Sequence, residues 1–124
     1  MSYIYYNPNP KRRKTDDCVI RAICKLINKD WYYIYVQLCI QGFILGDWGN
    51  CNEVWNYYMK TLGYKRKIIP DTCPDCYTVV DFCKEYPKGK FLLATGTHVI
   101  TVIDGNYYDI WDSGNEVPIY YWTR

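Results

Sequence analysis

Apolar residues recur at helical spacing through the first two thirds of the chain. The last third is made of short β-branched and aromatic runs. Val19, Ile23, Leu26 and Ile27 share one face of a helix predicted over Asp17–Lys29, capped by Thr15 or Asp16. Asp30 is suited to cap a second helix carrying Trp31, Ile34, Tyr35 and Leu38, with Gly42 and Gly46 where it frays. A third helix is predicted over Asn52–Leu62, on the stripe Val54, Trp55, Tyr58, Met59 and Leu62, and Gly63 stops it. A short strand follows over Tyr64–Ile69. Thr78 then caps a fourth helix with Val79, Phe82, Cys83 and Tyr86 inward, closed by Pro87.

Strands are predicted over Phe91–Thr95, Thr97–Ile103, Tyr107–Asp112 and Val117–Trp122, joined by turns rich in Gly, Asn and Asp. Helices first and strands last is an α+β pattern. Its expected form is an antiparallel meander with the helices packed on one side. Residues 1–14 hold two Asn-Pro dipeptides, which oppose helix, and are expected to form an N-terminal arm. No repeat or long linker divides the 124 residues, so one domain, 1–124, is expected.

Composition narrows the function. The aromatic share of 19%, with fifteen tyrosines and five tryptophans, favours a core and a recognition surface built from large rings. The net charge is only +2, and the basic runs Lys11–Lys14 and Lys65–Lys67 read as solvated surface, so nucleic acid is not an expected partner. No apolar stretch approaches the ~18 residues of a membrane span, and no signal peptide pattern opens the chain. Seven cysteines without an export signal point to a reducing cytoplasm and mostly free thiols.

Three residues carry the chemistry. Cys18 falls in the first turn of the first helix, where free N–H groups and the helix dipole favour a thiolate. His98, the single histidine, opens a strand. If Asp104-Gly105-Asn106 forms a three-residue loop, Ile103 pairs with Tyr107 and His98 lies opposite Asp112. The two Cβ atoms would then be about 5 Å apart. A carboxylate there would fix the ring tautomer and stabilise the imidazolium. A two-residue Asp-Gly turn shifts the register and brings Asp109 to the His98 face instead. Asp112 is preferred because it sits at the same sheet end as His98, with Asp109 second.

The segments Asp17-Cys18-Val19-Ile20-Arg21-Ala22-Ile23, Thr97-His98-Val99-Ile100-Thr101-Val102 and Tyr108-Asp109-Ile110-Trp111-Asp112-Ser113 together resemble papain-like cysteine peptidases. They are similar to small papain-like proteins of bacteriophages and bacteria, and to bacteriocin-processing and cell-wall peptidases. The resemblance covers a minor part of the chain and rests on the order Cys, His, acid. It implies Cys18 as nucleophile, His98 as general base and Asp112 as the residue that orients the ring. It also implies a peptide or protein substrate, no cofactor, and a bacterial or phage-infected host cytoplasm. One feature departs from the pattern: the glutamine usual about six residues before the cysteine is replaced by Arg12. The Cys18 N–H remains one oxyanion donor, and Asn9, Arg12 and Thr15 are candidates for the second. Trp48 and Trp111 are candidates to line the cleft.

The function expected is therefore a cysteine hydrolase or acyltransferase acting on an amide. The alternative is an inactive binding protein on the same scaffold, such as a phage factor that blocks a host component. Cys73-Pro74-Asp75-Cys76 has half the ligands of a zinc site and no second pair, so it reads as a loop with two thiols and no metal is expected. Oligomeric state is not legible.

Overall fold

A computed structural model describes residues 2–124. Among these residues four helices and six strands follow one another in the order β1 (Ser2–Tyr5), α1 (Cys18–Ile27), α2 (Trp31–Leu45), α3 (Asn52–Thr61), β2 (Lys65–Ile68), α4 (Val79–Glu85), β3 (Lys90–Ala94), β4 (Val99–Ile103), β5 (Asn106–Asp109) and β6 (Tyr120–Thr123). This is a mixed α+β fold. Several helix ends follow from side chains that capture free backbone donors. The Asp30 carboxylate accepts the Tyr33 N–H at 2.7 Å. Thr78 and Asp81 form a reciprocal capping box at the start of α4. α1 differs from expectation: neither Thr15 nor Asp16 caps it. Asp17 holds the cap position, and its side chain makes no capping bond.

The six strands form one mixed sheet in the order β1-β5-β4-β3-β6-β2. The expected meander holds only for β3, β4 and β5. β6 crosses over to pair with β3 and β2, both antiparallel. The expected arm is a strand at its start: Ser2–Tyr5 pairs in parallel with β5 along one sheet edge. Tyr3 packs on Tyr107 across that pair, with ring centroids 5.7 Å apart. The Tyr3 hydroxyl and the Tyr6 N–H both bond the Asp109 carbonyl, which ties down the end of β5.

The helices cover both faces of the sheet, not one. Alternate residues of β3 divide between two cores. Leu92 and Ala94 join Val19, Ile23, Leu26, Trp55 and Met59 beneath α1–α3. Phe91 and Leu93 join Val79, Phe82, Ile100 and Val102 beneath α4. Central strands covered on both faces read as continuous apolar runs, as Phe91–Ala94 and Val99–Val102 do. Trp122 and Phe82 are fully buried, one in each core. Complete burial of side chains this size contributes about 2–3 kcal/mol each.

Two turns set the position of everything that follows. Asp104 and Gly105 both have positive φ, 49° and 76°, as a type I′ hairpin requires. The loop is thus two residues, and Ile103 pairs with Asn106 rather than Tyr107. The second is the loop after α2. A Cβ on Gly42 would lie 2.5 Å from the Asp47 carbonyl oxygen, and one on Gly49 would lie 3.0 Å from that of Leu38. Glycine at both positions lets loop 47–50 pack backbone to backbone on α2.

Candidate active site

Cys18 is the first residue of α1. The N–H groups of a helix's first turn have no intrahelical acceptor. Here they also lack a side-chain cap, because the Asp17 carboxylate is engaged elsewhere. Its Oδ1 accepts from Arg21 Nη1 at 2.6 Å, and its Oδ2 accepts from Trp31 Nε1 at 2.9 Å. Asn9 Nδ2 lies 3.5 Å from the same Oδ2. The helix therefore begins with an open, electropositive end and a half-buried thiol beside it.

His98 is held by the tight turn Thr95–His98. The Thr95 N–H bonds the His98 carbonyl at 2.9 Å, the His98 N–H bonds the Thr95 hydroxyl at 3.1 Å, and Gly96 supplies φ of +108°. The imidazole is 12% exposed. One face is covered by Trp111, at 5.1 Å between ring centroids. Its Nε2 lies 2.6 Å from Asp109 Oδ2.

The expected partner of His98 was Asp112, and the structure corrects this to Asp109. The two-residue turn moves the register by one. Asp112 turns away, accepting from the Tyr107 hydroxyl and the Gly114 N–H. Asp109 is fully buried, and its carboxylate accepts four bonds. These come from His98, from Arg21 Nη2 at 3.0 Å, from the Ser113 hydroxyl at 2.7 Å and from the Ile110 N–H at 2.8 Å. Burial alone would raise its pKa. The hydrogen bonds from His98 and Ser113 outweigh that and hold the carboxyl below its ordinary range.

The imidazole responds in the opposite sense. Burial pushes it down, but the hydrogen bond to Asp109 and the nearby charges of Asp109 and Cys18 lift it from 6.5 to about 9. At neutral pH the ring is then an imidazolium. With Nε2 given to the carboxylate, Nδ1 is the nitrogen left for the Cys18 thiol.

Cys18 and His98 line one cleft of about 180 Å³ with Asp16, Asn50, Asn52 and Tyr120 at its polar positions. Trp55, Val19, Ala94 and Val99 complete its wall. None of the three expected oxyanion donors lines it. Asn9 is buried against Asp17, and its side-chain oxygen accepts from the Lys11 N–H at 2.9 Å. Arg12 is exposed on a left-handed turn with φ of 57°. Thr15 faces a neighbouring cavity of about 410 Å³, as does Trp48. Asn50 and Asn52 occupy the cleft instead. The Asn52 side-chain oxygen accepts from Trp55 Nε1 at 3.0 Å.

The residues that sequence reasoning missed are Arg21, Asp17 in its network role, Ser113, Asn50 and Asn52. Arg21 left a readable signal. A single charge inside Val19-Ile20-Arg21-Ala22-Ile23, on a helix that must bury itself, needs buried acidic partners, and Asp17 stands four residues before it.

Cys73 and Cys76 are joined by a disulfide, where two free thiols were expected. Their Cα atoms, 4.1 Å apart in a tight loop, bring the sulfurs together. Among the described residues, no group of three or more His, Cys, Asp or Glu is arranged to hold a metal ion. No helix among them is long and apolar enough to cross a membrane. Comparison with protein-family models, curated proteins and solved structures gives no match.

Proposed function

We propose that this protein is a papain-like cysteine hydrolase or acyltransferase acting on an amide, with Cys18, His98 and Asp109 as its working residues. The observation that carries the proposal is the buried Asp109–His98 pair, whose histidine lines one cleft with a cysteine on an uncapped helix N-terminus. A cysteine-bearing helix packed on a sheet that presents histidine and acid from neighbouring strands is also the arrangement the resemblance implies.

The chemistry follows from the ionisation of the site. An imidazolium and an open helix N-terminus beside a thiol favour the thiolate. The Cys18 sulfur attacks the amide carbonyl carbon, and the developing oxyanion meets the first-turn N–H groups of α1. Asn50 or Asn52, both on the cleft wall, would supply a further donor. His98 gives its Nδ1 proton to the departing amine as the C–N bond breaks, leaving an acyl-cysteine and a neutral imidazole. The imidazole then takes a proton from water or another acceptor as that nucleophile attacks the thioester, and the Cys18 thiolate is restored. Asp109 keeps the ring oriented and its charged form stable throughout. Peptide bonds are the default substrate; deamidation and transglutamination would use the same residues. A cytoplasmic setting in a bacterium or phage-infected cell belongs to the same proposal.

The experiment is to expose the protein to a panel of small activated esters and read acyl adducts by intact mass and peptide mapping. The proposal expects one acyl group, on Cys18, forming at least about 100-fold slower in His98→Ala. Acylation spread evenly over the five free thiols would sink it.

A second reading is an inactive binding protein on this scaffold, such as a phage factor that blocks a host component. It is favoured by the cleft holding none of Asn9, Arg12 and Thr15, the expected oxyanion donors. Normal acylation rates at Cys18 would remove it.

A further inference from the structure

Helix α2 is apolar on the side that faces away from the core. Ile34, Leu38 and Gly42 face inward and are buried. On the opposite side Tyr32, Val36, Ile40 and Phe43 are 45–89% exposed, with exposed Cys39 between them. Residues 32, 36, 39 and 43 are spaced four, three and four apart, the spacing of a helix–helix seam. The fifteen residues of α2 include no Asp, Glu, Lys or Arg.

We infer that this face is the interface of a homodimer, formed by α2 packing antiparallel on α2 of a second copy. Area supports a second copy. With Tyr33 and Ile44 included, the exposed apolar surface is on the order of 700 Å². That is what one partner contributes to a stable interface, and it exceeds the patch of roughly 300–600 Å² that monomers tolerate. Charge supports it too. A two-fold axis sets the same surface against itself, so a charge on the seam would be buried with no opposite charge of α2 to pair with it. α2 carries none. An antiparallel pair also sets each helix N-terminus beside the C-terminus of the other, which their dipoles favour. Centred between Cys39 and Ile40, such a pair sets Val36 beside Phe43 of the partner subunit. A lipid surface fits less well, because a helix that lies on anionic lipid carries a row of Lys or Arg beside its apolar face, whereas α2 has none of its own and Lys29 reaches only the Tyr33 ring at one end.

The test is sedimentation equilibrium of the full chain from 1 to 200 µM, on wild type, Phe43→Asp and Val36→Asp. Both positions are exposed, so both variants should retain the wild-type circular dichroism spectrum. The expected result is a wild-type dimer at tens of micromolar, with dissociation constants raised at least 100-fold in each variant. A wild-type monomer throughout would overturn the inference, and its co-flotation with phosphatidylserine vesicles would assign the face to lipid. A dimer that both variants leave intact would place the interface elsewhere and overturn it equally.

Discussion

Replacing Arg21 by methionine tests the network behind the site. The guanidinium is 3% exposed and bridges two carboxylates, Asp17 at 2.6 Å and Asp109 at 3.0 Å, which are 5% and 0% exposed. Methionine retains most of the packing volume but leaves both carboxylates short of a charged donor. Each retains other partners, Trp31 and Asn9 for Asp17, and His98, Ser113 and Ile110 for Asp109, so neither is stripped bare. Breaking a buried pair from one side costs about 3–5 kcal/mol, because the stranded charge cannot return to water. With a urea slope of about 2 kcal/mol/M, the unfolding midpoint should fall by roughly 1.5–2.5 M at pH 7. Equilibrium urea unfolding at pH 7, followed by tryptophan fluorescence, reads the loss. A loss below about 1 kcal/mol, the value of an exposed ion pair, would refute the reasoning.

Three further outcomes follow from the same geometry. The His98 ring should titrate near 9 by NMR, and in Asp109→Asn it should fall toward or below 6.5. Because its folded pKa is raised, its contribution to stability is complete below about 6.5 and is lost as pH rises through about 9. Asp112→Asn should leave that titration and the reactivity of Cys18 unchanged while costing about 1 kcal/mol in urea unfolding, since Asp112 serves Tyr107 and Gly114 only. Gly42→Ala should destabilise by about 1–3 kcal/mol, although alanine is the better helix former. Its Cβ meets the Asp47 carbonyl at 2.5 Å, and thermal unfolding gives the sign directly.

The helices were legible because periodicity and capping agree for α2, α3 and α4, where Asp30, Gly63 and Thr78 stand at the ends the apolar stripes predict. Strand partners were not. β6 leaves the meander, and β1 joins β5 across a hundred residues of chain; neither leaves a local mark in the sequence. Placement of α4 on the second face was written faintly, in β3 and β4 runs too continuously apolar for a one-sided sheet. The acid beside His98 turned on one turn. Asp104-Gly105 has the composition of a type I′ hairpin, and giving that chemistry priority over a three-residue loop selects Asp109. The three upstream oxyanion candidates, Asn9, Arg12 and Thr15, stand near Cys18 in sequence but not in the cleft. Asn50 and Asn52 reach the cleft only because Gly42 and Gly49 let their loop close onto α2.

The most direct test of the proposed site is the rate of Cys18 alkylation by iodoacetamide across pH 5–10, measured by peptide mapping beside the other free thiols. The account predicts that Cys18 reacts fastest from pH 6 to 8, and that Asp109→Asn slows it at least 10-fold at pH 7. A Cys18 rate that follows the pH profile of the exposed Cys39, unchanged in Asp109→Asn, would contradict it.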